Sequence, residues 1–176
     1  MAKLPYYYAE MDSPIGILTV VQSSKGVCFI EFGSASDTST SINMKLRKLQ
    51  INATLLNESP PLKMVEEQLC AYFNGELKDF RLPLDLIGTR FQKLVWEKVA
   101  SIPYGVTKSY KQIATEIGSP KAVRAIGGAN NRNPVPIIIP CHRVIGTNGS
   151  MVGYGGGLDK KEILLRLEGS FERISS

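Results

Sequence analysis

Histidine is almost missing from this chain: there is one, His142, in 176 residues. Cysteine is scarce too, with Cys28, Cys70 and Cys141 far apart and odd in number. Neither a CxxC nor an HxxxH pair occurs, so a structural zinc site and a disulfide framework are both disfavoured, and a reducing compartment fits. No apolar run approaches the roughly 18–20 residues that span a bilayer. The opening "MAKLPYYYAEMDSPIG" lacks the apolar core of a secretion signal. These absences predict a cytoplasmic protein with no membrane partner, nucleoid-associated if the source is bacterial or archaeal.

Acidic charge is what the second half lacks. Through residue 90, nine Lys/Arg stand against ten Asp/Glu, whereas from residue 91 onward twelve stand against six. The basic excess therefore sits in the half that carries His142. A basic half-chain suits a polyanion, nucleic acid first.

The expected fold class is α/β (α+β). A small N-terminal β-sheet-plus-helix domain is expected over residues 1–85, and a mainly helical domain with a helix-turn-helix over 86–176. "PYYYAEM", "ILTVVQ" and "VCFIEFG", separated by turn residues, predict a three-strand meander. "SASDTSTS" (34–41) reads as a polar loop. A helix is expected from Pro60-Pro61, with Ser59 as N-cap, to Asn74-Gly75. Residues 76–88, which contain Pro83, read as a linker. Beyond it Phe91, Leu94, Val95 and Val99 have the spacing of one buried helix face. A second helix is expected over about 108–117, with Ile113, Ala114 and Ile117 inward and Gly118 as its stop. Ser119-Pro120 would start a third over 121–130, in the recognition position of a helix-turn-helix. A last helix is expected from Asp159 to Gly169.

Gly127 and Gly128 lie inside that third helix, each costing about 1 kcal/mol relative to alanine. At i, i+3 and i+4 they share a face with Arg124. A bare face with one long cation suits a narrow partner such as a DNA minor groove, where an arginine can replace a base that has left the stack. Close helix packing or an early helix stop would explain the glycines equally well. Asn133, before Pro134, either holds this helix to the following segment or is an ordinary loop asparagine.

That segment, "IIIPCHRVIG" (137–146), sets Cys141 beside His142. In a regular strand the two side chains would face opposite ways, so either the chain turns at Pro140 or a water links them. A working thiolate needs its pKa lowered by a base, a cation or a helix N-terminus. His142 can take the proton, Arg143 adds positive field, and an imidazolium needs a carboxylate behind it. Asp159, Glu162, Glu168 and Glu172 lie downstream. Glu168 stands at a helix C-terminus, where the dipole disfavours it and invites a partner such as His142. The bland reading of Cys141 is a buried inert thiol, which Cys28 and Cys70 take comfortably. A hydrolase reading is thin, because no papain-like signature surrounds the cysteine.

"IPCHRVIG", preceded by "SYKQIATEIGSPKAV" and "RAIGGANNRNPVP" and followed by "YGGGLDKKEILLRLEG", closely resembles the O6-alkylguanine-DNA alkyltransferases. The likeness runs from about Thr89 to Gly169 and continues more weakly through the first 85 residues. It implies direct, irreversible transfer of an alkyl group from guanine O6, and from O4-alkylthymine as well, to Cys141. The partner would be duplex DNA holding the lesion, bound by a monomer without a cofactor. By resemblance His142 acts on Cys141 through water, Glu168 orients His142, and Asn133 braces the hinge. Arg124 becomes the finger that fills the gap of the flipped nucleotide, with Ala125, Gly127 and Gly128 along the DNA-facing side. Tyr110 crowds the target phosphate and donates a proton to the leaving guanine. Pro136, Val144, Tyr154, Gly155 and Asn130 line the base pocket. Gly155 stands where many members have Ser or Ala, and Asn130 where some have Met. Two alternatives are a non-catalytic lesion binder, which would lack the acceptor cysteine, and a helix-turn-helix regulator, which would need base-reading side chains where Gly127 and Gly128 stand.

Overall fold

The computed structural model describes residues 3–58 and 60–174. The chain forms two compact units, one ending at Ile87 and one beginning at Gly88. No helix among the described residues is long and apolar enough to cross a membrane.

The first unit is built on a four-stranded sheet in the order β3-β2-β1-β4. Strands β1 (Leu4–Met11), β2 (Leu18–Ser23) and β3 (Gly26–Phe32) form the expected antiparallel meander. Helix α1 (Ala35–Lys48) replaces the loop expected over 34–41. Ser34 caps it by accepting from the Asp37 amide, while Thr38, Ile42 and Leu46 form a buried stripe at i, i+4, i+8. Ile42 and Leu46 pack against Tyr6, Val21, Cys28 and Phe29, and this burial overrides the weak helix propensity of the Ser/Thr run. Strand β4 (Ala53–Asn57), not foreseen, pairs parallel with β1. A 3₁₀ turn over Pro60–Leu62 then leads into α2 (Lys63–Phe73). Leu62 occupies the cap position without a side-chain bond; the cap expected at Ser59 lies outside the described residues. Cys70 is exposed on α2, whereas Cys28 is buried, its thiol pushed up to about 12 by desolvation.

Part of the expected linker is strapped to this unit. The Val27 amide donates to Pro83 O at 2.9 Å, the Asp85 amide donates to Val27 O at 2.9 Å, and Ser23 Oγ donates to Asp85 at 2.6 Å. Gly26 permits the approach, since a Cβ there would sit 2.4 Å from the Pro83 oxygen.

In the second unit α3 (Arg90–Ala100) starts at a capping box between Thr89 and Gln92. Its buried residues are Val95, Trp96 and Val99; Leu94 is 44% exposed and Phe91 only half-buried. The helix is turned from the expected face because Trp96 enters the core and donates Nε1–H to Ala129 O at 2.8 Å. Strand β5 (Lys108–Ser109) pairs parallel with β6 (Val144–Ile145), so α4 covers only Tyr110–Glu116, capped by Ser109 and Gln112. Ile113 and Ala114 are buried as expected, Ile117 is half-buried, and Gly118 stops the helix at φ +73°. Ser119 and Pro120 do not begin the next helix. They belong to a turn closed by the Ala122 amide on Ser119 O at 2.8 Å, and α5 runs from Val123 to Asn131. Helix α6 (Leu158–Leu167) ends at Glu168 as its C-cap, followed by α7 (Phe171–Ile174).

Candidate active site

The chain does turn at Pro140. Cys141–Arg143 form a 3₁₀ turn, with the Cys141 amide on Ile139 O at 2.8 Å and the Arg143 amide on Pro140 O at 2.9 Å. Ile137, just upstream and fully buried, holds φ +75°, an outlier for a β-branched residue. Cys141 and His142 are both buried and do not bond to each other: His142 Nδ1 has no hydrogen-bond partner among the described residues.

His142 turns its other nitrogen to Glu168, with Nε2 2.8 Å from Oε1. The same carboxylate takes Arg143 through two bonds, Nε to Oε2 at 2.8 Å and Nη2 to Oε1 at 2.9 Å, and accepts the Gly105 amide at 3.3 Å. Arg143 Nη1 closes the cluster on Ile102 O at 2.6 Å. Arg143 is thus anchored to Glu168 rather than spent on the thiol. Burial by itself would raise the Glu168 pKa, but His142 and Arg143 hold it well below the usual carboxylate range. Burial lowers His142 below its ordinary value, against the pull of Glu168. A carboxylate accepting from Nε2–H leaves Nδ1 as a lone pair ready for a proton.

The resting thiol is not activated as the sequence led us to expect. Burial pushes Cys141 up to about 11, although Asn133 and the charge of Lys161 act the other way. At neutral pH the site holds a thiol, a neutral imidazole and a carboxylate.

Asn133 spans the loop after α5, donating to Ile139 O at 2.7 Å and accepting the Val135 amide at 3.0 Å. Tyr110, first residue of α4, donates to Val152 O at 3.3 Å, and burial raises its pKa. Asn130 reaches the Cys141 carbonyl from α5 at 3.4 Å. Pro136 and Val144 are buried near the thiol in sequence, and the Tyr154 pKa is raised well above normal, by burial first and then by the charges of Cys141 and Glu168. A Cβ added at Gly155 meets nothing within 4 Å.

Arg124 and Ala125 are exposed on α5. Neither glycine of that helix is required by internal packing. A Cβ on Gly127 would meet only Tyr110 Cε1 at 3.9 Å, and one on Gly128 the tip of the long Arg132 side chain at 3.2 Å.

Lys161 was missed from the sequence. It is fully buried, and its ammonium donates to Val144 O at 2.6 Å and Val152 O at 3.1 Å. Burial lowers its pKa to about 8, while the charge of Cys141 opposes that shift. The available signal was a lysine at i−3 and i−4 from Leu164 and Leu165, on the helix's apolar stripe. Gly105 was missed as well: at φ +76°, its Cβ would lie 3.0 Å from Glu168 O.

Residues 90–170 match the family model for the 6-O-methylguanine DNA methyltransferase DNA binding domain, and residues 6–86 match that for the ribonuclease-like domain of the same enzymes. A methylated-DNA–protein-cysteine methyltransferase of Methanosarcina acetivorans is 45% identical over 164 residues, covering 93% of this chain and 99% of the relative. One from Mycobacterium tuberculosis is 42% identical over 167 residues, covering 93% of each. The crystal structure of the M. tuberculosis O6-methylguanine methyltransferase aligns with a TM-score of 0.77 at 41% identity, over 94% of this chain and 93% of that one. A DNA complex of the M. tuberculosis protein aligns equally well, at 0.77 and 40% identity, over 96% and 94%.

Proposed function

From membership of the 6-O-methylguanine DNA methyltransferase family, to which this chain belongs, we propose how its residues carry out direct-reversal DNA repair. The activity is that of a methylated-DNA–protein-cysteine methyltransferase acting on damaged double-stranded DNA. Cys141 is the acceptor. Its sulfur attacks the alkyl carbon, the S–C bond forms as the C–O6 bond breaks, and the electron pair leaves with the guanine. The thiol proton passes through a water to His142 Nδ1, where Glu168 stabilises the imidazolium. Tyr110, kept protonated by burial, donates a proton to the departing base and is later reprotonated. The thioether has no hydrolysis route, so each molecule acts once.

The lesion lies inside a duplex, so the nucleotide must leave the stack. The exposed Arg124 fills its place while the bare Gly127–Gly128 face lets the backbone of α5 approach a groove. Asn133 fixes α5 relative to the Cys141 turn. Pro136, Val144, Tyr154 and Gly155 border the base.

One observation carries this reading: the buried Cys141 turn delivers His142 to Glu168 at 2.8 Å with its other nitrogen available. Incubation with duplex DNA containing O6-methylguanine, followed by intact mass and peptide mapping, tests it. One methyl per molecule on Cys141 is expected; no methyl there, or turnover beyond one, overturns it.

A further inference from the structure

Glu168 faces an imidazole and a guanidinium at once, and only the second carries a permanent charge. Its side chain is 0% exposed. Oε1 meets both His142 Nε2 and Arg143 Nη2, while Oε2 accepts from Arg143 Nε and the Gly105 amide. Arg143 cannot turn away, because it is buried and its Nη1 is held on Ile102 O at 2.6 Å. This arrangement answers a chemical dilemma. A relay needs a carboxylate behind the histidine to stabilise the imidazolium once it forms. A bare carboxylate buried against an imidazole would draw in a proton beforehand. The ring would then have no lone pair at Nδ1 to receive the thiol proton. With the guanidinium in place, the fully buried His142 rests beside a neutral pair. Other groups around the ring do not supply this charge. Lys161 of α6 acts on His142 less strongly than Arg143 does, and its ammonium is bonded to Val144 O and Val152 O. Cys141, Tyr104, Tyr110 and Tyr154 are all raised and so uncharged at rest. Helix α3 buries only Val95, Trp96 and Val99.

We propose that Arg143 is a positioning residue whose clamp on Glu168 keeps His142 an uncharged base until the thiol gives up its proton. Two bonds fix the carboxylate so that it accepts from Nε2–H, which leaves the lone pair on Nδ1. When Cys141 passes its proton through water to Nδ1, a thiolate and an imidazolium arise together and the buried site gains no net charge. The inference rests on the alkyl-transfer reading for its effect on rate, whereas the charge state of the ring is independent of that reading.

Because His142 is the only histidine, labelling the protein with nitrogen-15 histidine reports this one ring by NMR. The wild type should show a protonated Nε2 and a bare Nδ1 at neutral pH, and down to below 6.5. Arg143→Gln keeps a donor toward the carboxylate and removes the charge. In it the titration midpoint of the ring should rise by about one pH unit or more. Single-turnover methylation of Cys141 by duplex O6-methylguanine should then slow by about tenfold for each unit by which the midpoint exceeds the working pH, and recover as pH rises. Arg143→Lys lacks the fork but keeps the charge, so its midpoint and pH profile should stay near those of the wild type. An arginine that only braced the fold would lower the rate at every pH and leave the ring titration unmoved. A ring still neutral in Arg143→Gln, or the same rise in Arg143→Lys, overturns the proposal. Arg143→Met serves if glutamine does not fold. If neither folds, the wild-type ring decides: an imidazolium at neutral pH overturns the proposal, and a bare Nδ1 supports it. No methyl on wild-type Cys141 is a different result, which removes the alkyl-transfer reading and leaves the ring titration standing.

Discussion

Lys161 buries its ammonium 2.6 Å from the carbonyl of Val144, holding a charge in the core where it meets carbonyl oxygens. The same nitrogen reaches Val152, so one side chain ties the strand after the Cys141 turn to the loop that Tyr110 also grips. Its field favours the thiolate at Cys141.

Replacing Lys161 by Met should therefore slow methyl transfer by about ten- to a hundredfold, the scale of one or two hydrogen bonds from a charged group. A stopped-flow comparison of single-turnover rates checks this. The substitution also has a signature in stability. The folded pKa of Lys161 is about 8 against an ordinary 10.5, so between those values the unfolded chain keeps a proton that the native protein has released. Wild-type stability thus gains with rising pH across that window, and Lys161→Met should lack this gain in urea titrations.

Gly127→Ala and Gly128→Ala should each stabilise the protein, by up to about 1 kcal/mol from helix propensity. The added methyl finds only Tyr110 at 3.9 Å or the Arg132 tip at 3.2 Å. Binding to duplex DNA should weaken in the same variants. Thermal melts and fluorescence anisotropy on a labelled duplex read the two opposed effects. Unchanged DNA affinity would remove the groove-facing role of the glycines.

Arg124→Ala should reduce repair of duplex by at least roughly tenfold, a typical loss for an arginine contact. Reaction with the free base O6-methylguanine should change little, since Arg124 is exposed on α5. Equal losses on both substrates would remove the finger role.

Acid should unfold the protein in two stages. Burial lowers the folded pKa of His142 below 6.5, so the unfolded chain takes up that proton first and stability falls as pH drops below 6.5. Glu168 is held below its ordinary 4.5, so the stability it supplies is complete above 4.5 and drains away as pH falls further. Urea midpoints across this range should show both stages, and His142→Asn should abolish the earlier one.

Much of the site was legible because its parts are local in the chain. Cys141, His142 and Arg143 are adjacent, and Glu168 could be picked out as an acid at an unfavourable helix end. The roles of Tyr110 and Asn130 came only through resemblance, since nothing in "SYKQ" or "GGANN" points toward a thiol. Lys161 stayed hidden because "LDKKEILL" reads as a solvated helix start, and only tertiary packing decides which of two adjacent lysines is buried. The thiol's raised pKa was missed for a related reason: neighbouring cations are visible in sequence, whereas desolvation is not. In the first unit the Ser/Thr run hid α1, whose stripe of Thr38, Ile42 and Leu46 gains its meaning from the sheet beneath it.

Glu168 joins Gly105, His142 and Arg143, all of which precede it in the chain. During synthesis the earlier segments emerge first, with the Arg143 guanidinium and the imidazole still lacking their anchor. On the proposed relay, the nascent protein therefore cannot arm Cys141 until the end of α6 has left the ribosome and docked. A chain stalled or clipped before that point would carry the cysteine but not the means to use it.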